Sequence, residues 1–326
     1  MRAGLRALLR SIRSIGYGWV LAIAAVVRSL ISLCRRRGHR GNDSEHEGKR
    51  ARTECVPIED PAFLRPDPLI YDQYYLMELG LAVTWENPDF AIFRGGVPVP
   101  AHLLEADTIY DVVVRVWNGS LVCPVVRMPV HLSYLSFGVG TTSQFIATEE
   151  TDIGVKGAVN NPAFVSFRWR TPPSPGHYCL QATLDPVADV EPRNNLGQHN
   201  TSVVPTSSPA TFTFALRNGI TSRREFGFWV DTYALGAVGP CSDDPTVSHR
   251  REAYHRGEHP LPAGWSVAVS PAAPVLDPLE QLPVQVTVTP PSGWTGAQTI
   301  NVHTYYLDNY GIQRLAGGVT VTVTAS

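Results

Sequence analysis

From Trp85 to its last residues this chain alternates side-chain character with period 2, and no segment past residue 84 sustains a 3.6-residue apolar stripe of useful length. Ile109–Trp117, Val125–Phe137, Ala163–Trp169 and Gly176–Leu184 each read as a short strand with one buried face, separated by Gly, Pro, Asn and Asp. Ala210–Arg217, Glu225–Tyr233, Gly264–Ser270, Leu282–Thr289, Thr299–Leu307 and Gly318–Thr324 repeat the logic in the second half. Leu184–Val204 concentrates turn formers (Asp185, Pro186, Asp189, Pro192, Asn194, Asn195, Gly197) before an extended pattern resumes at Asn200, the signature of a closing hairpin. A pattern of this kind buries itself as paired antiparallel sheets, so the expected fold class is all-β, two tandem sandwiches.

The polar break Pro205–Pro209 divides them. We therefore expect a first sandwich over 69–205 and a second over 206–326, each large enough to bury its own core. A hydrophobic fraction of 44% with 17% charged residues is that of a globular chain, and a net charge of −2 excludes a whole-chain nucleic-acid binder.

That average hides a basic N-terminal end. Arg2, Arg6, Arg10 and Arg13 recur at helical spacing opposite Leu5, Leu8, Leu9, Ile12 and Ile15, and the apolar run Gly16–Cys34 follows, close to the ~20 residues a span needs. Arg28 lies near enough to its end to snorkel, and Tyr17, Trp19 and Arg35–Arg37 suit the two interfaces. The reading is a basic amphipathic and transmembrane helix over 1–36, with membrane lipid as partner. A cleaved signal peptide, a lipoprotein site at Cys34 and a helix lying on the surface compete with it, and basic flanks on both sides leave the orientation open. Residues 37–68 read as a flexible tether, and Leu69–Val83 as a short helix or strand packed on the first sandwich.

Pro88-Asp89, the strand end Val114-Arg115-Val116-Trp117-Asn118-Gly119 and the run from Asp185 through Glu191 to Asn194-Asn195 make residues 85–204 resemble the cell-adhesion-related domain of bacteria (CARDB-like), an immunoglobulin (Ig)-like module. Here Trp117 and Asn118 are adjacent, a departure from the V-x-V-x-N-x-G pattern. Asn218, Pro262-x-Gly264-Trp265, Val269-Ser270-Pro271, the strand ending at Pro290 and Gly317-Gly318 make residues 210–324 similar to the Ig-like module found beside alpha-galactosidase catalytic domains. The resemblances imply non-enzymatic spacers or adhesive units, with a protein or glycan partner. They imply no cofactor.

Few residues suggest chemistry. Asp185, Asp189 and Glu191 offer carboxylates in one turn but lack the glycine and distal glutamate of an EF-hand loop, so turn capping is expected and no metal. His249, His255 and His259 share a loop with Arg250, Arg251 and Arg256, whose charge opposes a cation. Trp229, Tyr233, Trp265, Trp294, Tyr305, Tyr306 and Tyr310 could stack on a sugar or fill the sandwich, and adjacent Tyr305 and Tyr306 point to opposite faces. No phosphate loop, nucleophile elbow or His-Glu-x-x-His pattern occurs, so no catalytic residue is assigned. Cys123 and Cys179, within the first sandwich, are expected on adjacent strands, where a bridge would imply an extracytoplasmic location; two buried reduced thiols are the alternative. The sequons Asn118-Gly119-Ser120 and Asn200-Thr201-Ser202 matter only if an exported chain is glycosylated. The reading is a membrane-anchored, non-enzymatic surface protein, with a carbohydrate-binding accessory protein as rival.

Overall fold

The computed structural model describes residues 64–173, 177–205, 209–235 and 253–325. The expected helix 1–36, most of the tether, and His249, Arg250 and Arg251 lie outside them. Among the described residues no helix is long and apolar enough to cross a membrane.

The first sandwich is built from β1 (Pro68–Leu69), α1 (Gln73–Glu78), β2 (Phe90–Arg94), β3 (Val97–Pro98), β4 (Ile109–Asn118), β5 (Val125–Ser136), β6 (Gly138–Val139), β7 (Gln144–Ile153), β8 (Ala163–Arg170), β9 (Tyr178–Leu184) and β10 (Leu196–His199). One sheet centres on β4, which pairs with β8, β2 and β1; the other runs β10-β9-β5-β7. The alternation in β4 places Tyr110, Val112, Val114 and Val116 inward against Val130, Leu132, Phe167, Leu180 and Leu184. Each such fully buried side chain contributes ~2 kcal/mol of transfer free energy.

The second sandwich comprises β11 (Thr201–Pro205), β12 (Ala210–Arg217), β13 (Arg224–Asp231), β14 (Ser266–Ser270), β15 (Val275–Leu276), β16 (Gln281–Thr289), β17 (Gly296–Leu307) and β18 (Gln313–Ala325). Its sheets run β11-β18-β17-β13-β15 and β14-β16-β12-β6. Phe212, Phe214 and Leu216 meet Val284, Val286, Ile300, Val302 and Val321 in its core. The two units share one pairing scheme: β4 with β8 matches β12 with β16, and β7-β5-β9-β10 matches β15-β13-β17-β18. This is the Ig-like arrangement.

Three findings differ from the sequence reading. The return arm of the hairpin is β10, while β11, expected to continue it, crosses over and pairs in parallel with β18. β6 leaves the first sandwich to pair with Ala215 and Leu216 of β12. Pairing also begins at Pro68, inside the stretch read as tether, because Pro68 and Leu69 lie against Asn118 and Trp117.

Leu69–Val83 resolves as β1 followed by α1. Asp72 caps the helix, accepting from Tyr75 N–H at 3.1 Å, while its other oxygen accepts from Leu196 N–H at 2.9 Å. Gln73, fully buried, donates to Gln198 O at 2.6 Å and so covers the open edge of β10, which would otherwise offer unpaired backbone groups.

Candidate functional site

The outward face of β17 and β18 is buried, although Asn301, His303 and Thr320 are polar. The segment after α1 lies on it. Trp85 sits directly over Gly318, where a Cβ would come within 2.1 Å of the indole nitrogen, so only glycine admits the ring. Trp85 Nε1 donates to His303 Nδ1 at 3.3 Å, and His303 Nε2 meets Asp231 Oδ2 at 2.9 Å. Asn301 donates to Asp231 Oδ1 at 2.6 Å, Thr320 Oγ1 donates to Asn301 Oδ1 at 2.7 Å, and Trp85 N–H donates to Thr320 Oγ1 at 2.7 Å. Because Nδ1 accepts, the imidazole carries its proton on Nε2. Burial pushes the Asp231 carboxyl up, but hydrogen bonds from His303, Asn301 and the Tyr233 N–H outweigh it and hold the group below its usual range.

An Asp–His pair is the base half of an acid–base triad. Here it cannot act as one, since His303 is 0% exposed and its second nitrogen faces an indole rather than a hydroxyl or thiol. The pair is a latch between the two sandwiches.

Asn200 is the second half of the latch and the single residue between β10 and β11. Its Nδ2 donates to Gly138 O at 2.8 Å and Gly318 O at 2.6 Å, and its Oδ1 accepts from the Cys179 thiol. Its N–H donates to Trp85 O at 2.8 Å and its carbonyl accepts from Thr320 N–H at 3.0 Å. A cavity of about 130 Å³ adjoins it, between Tyr74, Cys179, Gln198 and Gly317. Burial drives the Cys179 thiol far above its ordinary value, so it is inert as a nucleophile.

At the margin of the latch lies a cleft of about 430 Å³ between Met77–Val83, the β13 residues Trp229 and Asp231, and Arg256–Pro260. Trp229 stacks on His303, with centroids 4.8 Å apart and planes 18° apart, and lies 5.6 Å from Tyr305, which covers Gly227. Both rings are half-buried. Arg256 Nη1 donates to Leu79 O at 3.1 Å. An apolar wall, the Trp229 ring and a few charged groups at the rim suit a small polar ligand with an apolar face.

The residues singled out from sequence are dispersed. Asp189 accepts from Glu191 N–H at 2.9 Å and from Asn195 Nδ2 at 2.6 Å, Glu191 grips Arg193 at 2.6 Å, and Asp185 lies 3.6 Å from His131, so the three carboxylates do not converge. Among the described residues no group of three or more His, Cys, Asp or Glu side chains is placed to hold a metal. His259 packs its ring 5.0 Å from Tyr233, and His255 lies 5.5 Å from Tyr254. Trp265 and Trp294 form an edge-on pair at 4.7 Å against the second core, Tyr306 packs on Phe226, Tyr233 is buried, and Tyr310 is exposed. His303, Asp231 and Trp85 carry no local motif, and Asn200 carries only its sequon. The sequence sign of His303 and Asp231 is polarity at strand positions that the fold then covers.

The disulfide expectation is corrected. Cys123 and Cys179 are both free thiols. Cys179 pairs with Leu135 at the far end of β5, whereas Cys123 precedes Val125 at the near end. At 3.3 Å per residue they are ~30 Å apart along the strand, far beyond the reach of a bridge. The sequon asparagines are also committed: Asn118 donates to Cys123 O and Gly154 O at 2.8 and 3.1 Å, and it is as buried as Asn200.

No family model matches the chain, so neither of the two family resemblances is matched by one. No curated protein matches it in sequence. Among solved structures, the periplasmic chaperone SfaE is similar over 39% of this chain and 55% of its own, at 8% identity and a TM-score of 0.26. SSP-19, an MSP-domain protein like family member in Caenorhabditis elegans, overlaps 39% of this chain and 92% of its own at 15% identity and a TM-score of 0.22. The PapD-like domain 7 of human CEP192 overlaps 39% and 80% at 15% identity and a TM-score of 0.24. This chain thus spans about half the length of SfaE. Agreement this loose carries no argument about function, and the Ig-like architecture rests on the strand pairing itself.

Proposed function

We propose that the chain is a membrane-anchored, non-enzymatic surface protein in which two Ig-like modules act as one stiff body for binding, adhesion or spacing. The observation that supports this most is the latch: the one-residue link at Asn200, the strand β6 given to the neighbouring sheet, and the Trp85–His303–Asp231 chain. Relative motion is the default between domains, and a one-residue link with a buried, hydrogen-bonded seam restricts it. The best-formed acid–base pair is consumed in this joint. The CARDB-like resemblance of the first module agrees with an adhesive role at an extracytoplasmic surface.

The rival, a carbohydrate-binding accessory protein of a cell-envelope glycan system, is favoured by the half-buried Trp229 ring in the cleft wall. One experiment addresses both. Full-length protein in detergent is screened on glycan and peptide arrays and against generic hydrolase substrates. Binding without turnover supports the proposal, binding to saccharides abolished by Trp229→Ala selects the rival, and turnover lost in Asp231→Asn overturns the non-enzymatic reading.

A further inference from the structure

The pole of the first sandwich opposite its junction with the second is built from three loops, 119–124 between β4 and β5, 154–162 between β7 and β8, and 185–195 between β9 and β10. The chain enters the described structure at this same pole. Gly119 N–H donates to Asp67 O at 2.8 Å, and Val190 N–H donates to Pro66 O at 3.1 Å. The loops are tied to one another. Asn161 donates to Asn118 O at 2.7 Å and Lys156 N–H donates to Ser120 O at 2.8 Å. Asn194 in turn donates to Asp67 at 3.2 Å.

On this braced frame each loop lifts aliphatic side chains into solvent. Leu121 and Val122 are 52% and 41% exposed, Val159 and Val187 are fully exposed, and Leu64 at the point of entry is 56% exposed. Single exposed aliphatics are ordinary on a protein surface, but their convergence from three loops and the entry segment on one pole marks an interaction surface. Of the acids in the 185–195 loop, Asp189 is held by Asn195 and Glu191 by Arg193, while Asp185 turns toward His131 at 3.6 Å and stays exposed.

We infer that this pole docks on a lipid surface, with the aliphatic loop tips entering the headgroup–acyl boundary. This rests on the membrane-anchored reading above. The occupant is indicated by where the chain enters: residues 1–63 precede Leu64 and include the basic amphipathic and apolar run, so the segment read as the anchor is joined to the sandwich at this pole. Aliphatic tips gain free energy in the interface in proportion to the apolar area they bury, and attachment raises their effective concentration there. The second sandwich, with its aromatic cleft, then faces away from the lipid.

The test uses the full chain in vesicles of phosphatidylcholine and phosphatidylglycerol carrying a photoactivatable acyl chain, with adducts mapped by mass spectrometry. Adducts are expected in residues 119–124, 154–162 and 185–191, none at the exposed Tyr310, and loss of the loop adducts in Leu121→Ser/Val122→Ser/Val159→Ser/Val187→Ser. Sedimentation with the vesicles but adducts confined to residues 1–36 overturns the docking and leaves the anchor standing. Failure to sediment at all overturns the anchor and the docking together.

Discussion

The indole of Trp85 donates to Nδ1 of His303 across 218 residues of sequence, and so couples the first Ig-like sandwich to the outer face of the second. Both side chains are fully buried. The bond fixes the imidazole proton on Nε2, where Asp231 receives it, and the whole chain of donors is satisfied only when the two sandwiches meet. Trp85→Ala should cost about 3–5 kcal/mol through the cavity it leaves. Trp85→Phe should cost about 1–3 kcal/mol, since it keeps most of the packing and orphans Nδ1. Urea unfolding midpoints measure both. A Trp85→Phe variant with the wild-type midpoint would show that the hydrogen bond contributes nothing.

Glycine tolerance provides an internal control. Gly318→Ala would place a Cβ 2.1 Å from Trp85 Nε1 and 2.7 Å from Val302 O, so the latch must open or the strand must shift. Gly219→Ala meets nothing within 4 Å. The first should destabilise by more than about 2 kcal/mol and the second by less than about 0.5 kcal/mol. Thermal unfolding of the two variants side by side distinguishes them.

Asn200 satisfies two carbonyls and one thiol with a single amide. Asn200→Ala leaves those groups unpaired in a buried site, at a cost of about 1–3 kcal/mol for each carbonyl. For the same reason Asn118 and Asn200 should stay unmodified when the folded protein meets an oligosaccharyl donor and its transferase. A glycopeptide at either position would contradict their burial.

Cys123 and Cys179 should both be alkylated in protein denatured without reductant, and reductant should leave the unfolding midpoint unchanged. A Cys123–Cys179 linked peptide would contradict the register of β5 and β9. Location outside the cytoplasm gains nothing from these thiols.

Stability should depend on pH through His199. Burial, against a hydrogen bond that the ring donates to the Asn87 backbone, holds its folded pKa down at about 4, whereas the unfolded ring titrates near 6.5. Between those values the unfolded chain binds more protons, so stability contributed by the neutral ring is complete above pH 6.5 and is lost as the pH falls toward 4. Asp72 has the opposite sign: burial raises its carboxyl to about 6, the folded state binds the extra proton between 3.8 and 6, and stability rises as pH falls there. The two partly cancel in the wild type. His199→Phe should therefore gain stability relative to wild type by up to ~1.4 kcal/mol per pH unit from 6.5 down to 4. A difference independent of pH would contradict the buried neutral imidazole.

Sequence and structure agree where one face of a strand is buried. Tyr110, Val112, Val114 and Val116 declare β4, and Phe212, Phe214 and Leu216 declare β12, because alternation survives in the residues themselves. β7 was not legible: only Ile153 of its ten residues is buried, and Glu149, Glu150 and Asp152 give it the composition of a loop. β11 and β6 were misplaced or missed because pairing partners distant in sequence leave no local signal. The latch was illegible for a related reason. His303 and Asn301 look like the solvent face of β17, and only the approach of Trp85 to Gly318 converts that face into interior. The cysteine pairing failed on register, since membership of one sheet says nothing about which end of a strand each thiol occupies.

The proposed stiffness of the two sandwiches as one body rests on the Trp85–His303 and Asn200 contacts. Spin-labelled amino acids at Phe164 and Tyr310, both exposed, place one probe on each sandwich. Pulsed dipolar spectroscopy of the full chain in detergent should give a single narrow distance distribution that broadens in Trp85→Ala/Asn200→Ala. A broad distribution in the wild-type chain would contradict the account.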